Sequence, residues 1–110
     1  MPRTLTPQAR DAARVLGSQI AIARRRRRWT AERLAEQAGI SPVTLRKIER
    51  GDASVALGTA LEVAVLVGVP LFGAESAAEQ RALADRIEDR VALLPRRVLP
   101  ITDEGLDDDF

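Results

Sequence analysis

The side chains with most chemistry to offer in this chain are guanidinium groups. Of its 17 basic residues only Lys47 is a lysine; Arg24-Arg25-Arg26-Arg27-Arg28 form an unbroken run, and Arg46, Lys47 and Arg50 cluster further on. Such groups grip phosphates and carboxylates through fixed, forked donors, so the chemistry they suggest is recognition of an anion. Histidine, cysteine and tyrosine are absent, which removes disulfides, thiol nucleophiles, imidazole acid–base catalysis and thiolate or imidazole metal sites. The carboxylates and the four serines form no arrangement that suggests catalysis, so no catalytic residue, metal ligand or cofactor is expected and the chain reads as a non-enzyme.

A net charge of +1 hides a change of sign along the chain. Residues 1–50 hold 12 Lys/Arg against 4 Asp/Glu, and residues 51–110 hold 5 against 12. The basic half suits a polyanionic partner; the acidic half suits a solvated tail or a basic partner.

The elements that must position these groups are helical. At 110 residues the length is that of one domain, and with aromatics at 3% the core must come from Leu, Ile, Val and Ala, which favours an all-α fold of small packed helices. A first helix is expected after Pro7, with Leu16, Ile20 and Ala23 on one face, running to the arginine run. Thr30 can cap a second that ends at Gly39, and Ser41-Pro42 supplies an N-cap and first-turn pair for a third, from Pro42 to about Arg50. A fourth helix follows Leu57, Leu61, Ala64, Val65 and Gly68. A fifth, from about Glu75 to Leu94, carries Leu83, Ile87, Val91 and Leu94 on one face. Two prolines and Asp107-Asp108-Asp109 mark residues 95–110 as an extended acidic tail.

The apolar stretch Ala53 to Ala74 has the length of a membrane span, but Glu62 near its middle and the breaks at Gly58, Gly68 and Pro70 argue against one. No apolar run of signal-peptide length follows Met1, so a cytoplasmic protein is expected.

Residues Ala31 to Arg50 fit a 20-residue helix-turn-helix. The fifth position, where the helices cross closely, is the small Ala35; the ninth is Gly39; and the positions that seat one helix on the other are Leu34, Ala38, Ile40, Leu45 and Ile48. The competing reading is an αα-corner in an arbitrary bundle.

Over Leu16 to Val69 the sequence resembles the Cro/cI (XRE) family of phage-repressor helix-turn-helix proteins. The stretch Thr30-Ala31-Glu32-Arg33-Leu34-Ala35-Glu36-Gln37-Ala38-Gly39-Ile40-Ser41 is similar to the family's second helix and turn, and Ile48-Glu49-Arg50-Gly51 to the end of its third helix. The family typically carries Gln at the place of Ala31 and Gly at that of Arg28, so one side-chain phosphate clamp is lost here. The resemblance implies a five-helix fold that binds double-stranded DNA. It places Pro42, Val43, Arg46 and Lys47 on a recognition helix facing base edges, with Thr44, Arg50 and the amides of Thr30 and Ala31 on phosphate. Without Asn or Gln in that set, bidentate adenine readout is lost, whereas Arg46 or Lys47 can address guanine and Val43 a thymine methyl. The resemblance also pairs Arg24 with Glu49. For Arg25, Arg26 and Arg28, phosphate contact and plain solubility stand level.

A narrower resemblance runs from Thr44 to Thr59, and through Arg90 to Val98 and the final Asp107-Asp108-Asp109-Phe110, to HipB-like antitoxins of HipA-type kinase toxins. It implies a homodimeric autorepressor that also holds its toxin inactive, with Asp107, Asp108, Asp109 and Phe110 as a partner-binding tail. Residues 1–72 are expected to form the DNA-binding domain with its N-terminal arm, and residues 95–110 the tail; the apolar stripe of residues 73–94, with Leu71 and Phe72, exceeds what a four-helix core requires and is a candidate dimer interface, unless the fifth helix packs across its own domain. The alternative is a stand-alone XRE-type regulator without a toxin.

Overall fold

The computed structural model describes residues 4–101, and among these it has five helices and no strand, only an isolated bridge between Leu71 and Ala74. The helices are α1 (Pro7–Arg26), α2 (Ala31–Ala38), α3 (Pro42–Glu49), α4 (Leu57–Leu66) and α5 (Ala77–Ala92). The chain divides into two compact units between Gln80 and Arg81.

Local chemistry sets most of the helix ends. Thr6 Oγ1 accepts the Ala9 amide at 3.2 Å and Pro7 opens α1, while Arg24, Arg25 and Arg26 fill its last turn, where the helix dipole is negative. Thr30 Oγ1 accepts the Arg33 amide at 3.0 Å, and α2 closes on Gly39, whose φ of 70° is left-handed, a region glycine enters at no steric cost. Ser41 Oγ then accepts the Thr44 amide at 3.1 Å, with Pro42 as the first residue of α3. Only Ile40 and Ser41 separate Gly39 from the next helix.

Ile20, Leu34, Ala35, Leu45, Ile48, Val63, Ala64, Val67 and Val69 form the buried core. Ile20, Leu34, Leu45 and Val63 are fully enclosed, and each contributes about 1.5–3 kcal/mol through removal from water. Close approach of α1 to the end of α3 depends on Gly17: a Cβ there would lie 2.3 Å from the Ile48 carbonyl and 2.9 Å from that of Glu49. The two backbones touch where any side chain would wedge them apart.

Helix α4 departs from the sequence reading. Its buried residues are Val63 and Ala64, with Val67 just beyond, whereas Leu57 and Val65 face outward. The segment Leu57–Leu66 is apolar almost all round, so its periodicity does not single out one face. It also begins on Ala56 with no side-chain cap. Helix α3 ends at Glu49, with Arg50 as its C-cap.

Helix α5 starts at Ala77 and ends at Ala92, two residues inside the expected span at each end. Its start is a capping arrangement: Ser76 Oγ accepts the Glu79 amide at 3.1 Å, and Glu79 Oε2 accepts the Glu75 amide at 2.8 Å. None of its residues is buried. Ile87 and Val91 of the expected stripe are exposed within a single chain, and so is Leu94 just beyond the helix. No helix among the described residues is long and apolar enough to cross a membrane; the stretch from Ala53 to Ala74 holds only the ten residues of α4 in helical form.

Candidate nucleic-acid interface

Helix α3 divides cleanly into two faces. Leu45 and Ile48 are buried and seat it on the core, while Pro42, Val43, Arg46, Lys47 and Arg50 are exposed. Val43 leaves 53% of its surface open. The sole carboxylate of α3, Glu49, is taken out of play by an ion pair: Arg24 Nε lies 2.7 Å from its Oε2, and a terminal nitrogen of Arg24 lies 3.1 Å from its Oε1. What remains on the outward surface is a proline, a valine and three cations.

That pair joins α1 to α3 with side chains only 11% and 13% exposed. The second terminal nitrogen of Arg24 donates to the Trp29 carbonyl at 2.9 Å, so one guanidinium ties α1, the turn that leads into α2, and α3 together. Its pKa is raised above the ordinary arginine value, chiefly by the hydrogen bond to Glu49, against the opposing effect of burial.

The other members of the arginine run point elsewhere. Arg25 and Arg26 are exposed on the last turn of α1. Arg27 caps that helix and donates Nε to the Val67 carbonyl at 3.1 Å, fastening α1 to the end of α4. Arg28 is exposed and left-handed, with φ 58°, the conformation that a glycine would take without strain. The helix break is thus kept although the glycine typical of the Cro/cI family is missing.

At the head of α2, Thr30 is exposed and Ala31 half-buried. The cap at Thr30 serves the third amide of the helix, leaving the earlier ones without an intrahelical partner and turned toward whatever anion approaches. Glu32 in the same turn supplies an opposing charge. Thr44 is half-buried, and its hydroxyl already accepts from Ser41 Oγ at 3.0 Å.

The sequence reading missed a stacked arrangement beside this site. The Arg33 guanidinium lies 4.5 Å from the centre of the Trp29 ring, and that of Arg27 lies 5.6 Å from it. The chain's one tryptophan, directly after the arginine run and four residues before Arg33, was the available signal. Asp107, Asp108, Asp109 and Phe110, expected to bind a partner, lie outside the described residues. No cluster of carboxylates able to hold a metal occurs among the described residues.

Residues 20–73 match the protein family described as helix-turn-helix. The match covers all of α2, α3 and α4 and the end of α1, and it supports the likeness to Cro/cI repressors and a DNA-binding regulator of that type. It does not reach the narrower HipB-like likeness. No curated protein and no solved structure gives a significant match.

Proposed function

We propose that this helix-turn-helix protein is a sequence-specific transcriptional repressor that reads a two-fold operator as a homodimer. The single observation behind this is the outward surface of α3, which is exposed, wholly cationic in its charged groups and freed of its only carboxylate by Arg24. Arg46 and Lys47 address guanine O6 and N7 in the major groove, Val43 meets a thymine methyl, and Pro42 packs at the leading end of the helix. Thr30, Ala31, Thr44, Arg50 and the exposed Arg25, Arg26 and Arg28 hold phosphate, which fixes register without reading bases.

The dimer supplies the second half-site contact that one small motif lacks. The exposed stripe of Ile87, Val91 and Leu94, with the half-buried Leu83, supports α5 as one pairing element.

In the finer reading the protein is also an antitoxin. It represses its own operon and neutralises a HipA-like kinase toxin through the tail at Asp107, Asp108, Asp109 and Phe110. The resemblance over Thr44 to Thr59 and at the chain's acidic end supports this. A stand-alone XRE-type regulator is the second reading, favoured by the fact that the α3 surface needs no toxin to account for it.

Binding of the full chain to the DNA upstream of its own gene, measured by fluorescence anisotropy at stated salt, tests the proposal. The wild type should prefer that DNA over a scrambled duplex. Arg46→Ala should cost about 1–3 kcal/mol on the cognate sequence and far less on the scrambled one; equal losses on both would remove Arg46 from base reading. Truncation after Pro100 separates the two finer readings: toxin neutralisation is lost if the tail binds a kinase, and DNA binding is retained either way.

A further inference from the structure

Phe72 is the most conspicuous residue that DNA binding does not use. It stands 82% exposed at the tip of a tight turn, with φ 55°, beside Gly73 at φ 81°. The Ala74 amide donates to the Leu71 carbonyl at 3.0 Å and closes the turn. Two successive left-handed residues are the signature of a type I′ turn, in which Asn, Asp and Gly are usual and an aromatic residue is strained. Nothing among the described residues compensates: the ring stays in water and the backbone in a disfavoured region.

Two residues before this tip the chain forms one wall of an open cleft of ≈ 490 Å³. Its floor includes Ile22, Ala23, Val67 and Pro70, and Arg26 and Arg27 stand among its lining residues. It is large enough for a phenyl ring. The residues just past the tip carry the opposite charge, Glu75 and Glu79.

We propose that Phe72 of one copy inserts into the Ile22–Val67–Pro70 cleft of a second copy, and that the second copy returns the same contact. A projection and a cleft so near each other on one surface satisfy a two-fold axis running between them, which gives a closed pair rather than a filament. The exchange brings Glu75 and Glu79 of each copy toward Arg27 in the cleft lining of the other, so charge as well as shape favours it. This inference rests on the dimeric reading above and adds a contact outside α5.

Sedimentation of the full chain without DNA tests it, so failure here is distinct from failure of the DNA reading. Phe72→Asn suits the left-handed backbone and leaves the fold intact; Ile22→Asp charges a half-exposed cleft residue. Each should raise the dimer dissociation constant at least tenfold. An equimolar mixture of the two variants should pair more tightly than either alone, because one intact knob then meets one intact cleft. Wild-type pairing by both variants, a mixture no tighter than its parts, or a monomeric wild type at micromolar concentration would overturn the proposal.

Discussion

Arg24 and Glu49 face each other across the junction of α1 and α3 with two hydrogen bonds, at 2.7 and 3.1 Å, in a site nearly closed to water. The geometry is the forked one in which arginine exceeds lysine, and the same guanidinium reaches the backbone of Trp29. Removing one partner leaves the other charge stranded. Glu49→Gln should therefore lower stability by about 3 kcal/mol, while Arg24→Met with Glu49→Leu should recover much of it. Urea denaturation of the three proteins measures this, and a single variant as stable as the wild type would contradict it.

Arg50→Ala should behave unlike Arg46→Ala. A phosphate contact carries no sequence information, so affinity should fall equally on cognate and scrambled DNA, and the slope of log affinity against log salt should shrink by about one. A salt titration on both duplexes checks the outcome; a loss confined to the cognate site would move Arg50 to the base-reading set.

Gly17→Ala should be severe for so small a change. Its methyl carbon would sit 2.3 Å from the Ile48 carbonyl, and the surrounding atoms are backbone. Overpacking of this kind costs about 1–3 kcal/mol, and here α1 and α3 must separate to relieve it. Thermal unfolding should show a clear drop in Tm, with weaker DNA binding as α3 shifts.

Arg28→Gly should do the reverse to stability. A non-glycine residue held left-handed costs about 1–2 kcal/mol, of which the extra chain freedom of glycine takes back part. The variant should melt higher than the wild type. If Arg28 touches phosphate, the same variant binds DNA more weakly at low salt, so stability and affinity move in opposite directions.

Acid should loosen the loop after α3. The Asp52 carboxylate accepts from the Ser54 hydroxyl at 2.6 Å and the Ser54 amide at 2.9 Å, and these bonds hold its pKa below the ordinary carboxylate value. Its contribution is present at neutral pH and is lost as pH falls through that lowered value. Asp52→Ala should flatten the acid limb of the stability profile below about pH 4. Because the group lies at the surface, the effect should be small.

The helix-turn-helix was legible because its grammar is local. Thr30, Gly39, Ser41 and Pro42 each act within about four residues, and the structure uses them where the spacing places them. The basic surface of α3 was legible for the same reason. Other features were not. The rotation of α4 depends on which neighbour claims an almost uniformly apolar segment, the need for glycine at position 17 arises only when α3 arrives, and the Trp29 stack with Arg33 requires a turn to bring the ring back over α2. The left-handed backbones at Arg28 and Phe72 carry no residue-type signal, since both residues are ill suited to that region.

On the proposed function, the tie that Arg24 makes between α1, the turn before α2 and α3 bears on which operators would be chosen. A reading helix fastened so firmly has little freedom to tilt toward an imperfect site, so any mismatch of curvature must be absorbed by the duplex. Operators whose central steps bend or overtwist cheaply would then be favoured even at bases that no side chain contacts.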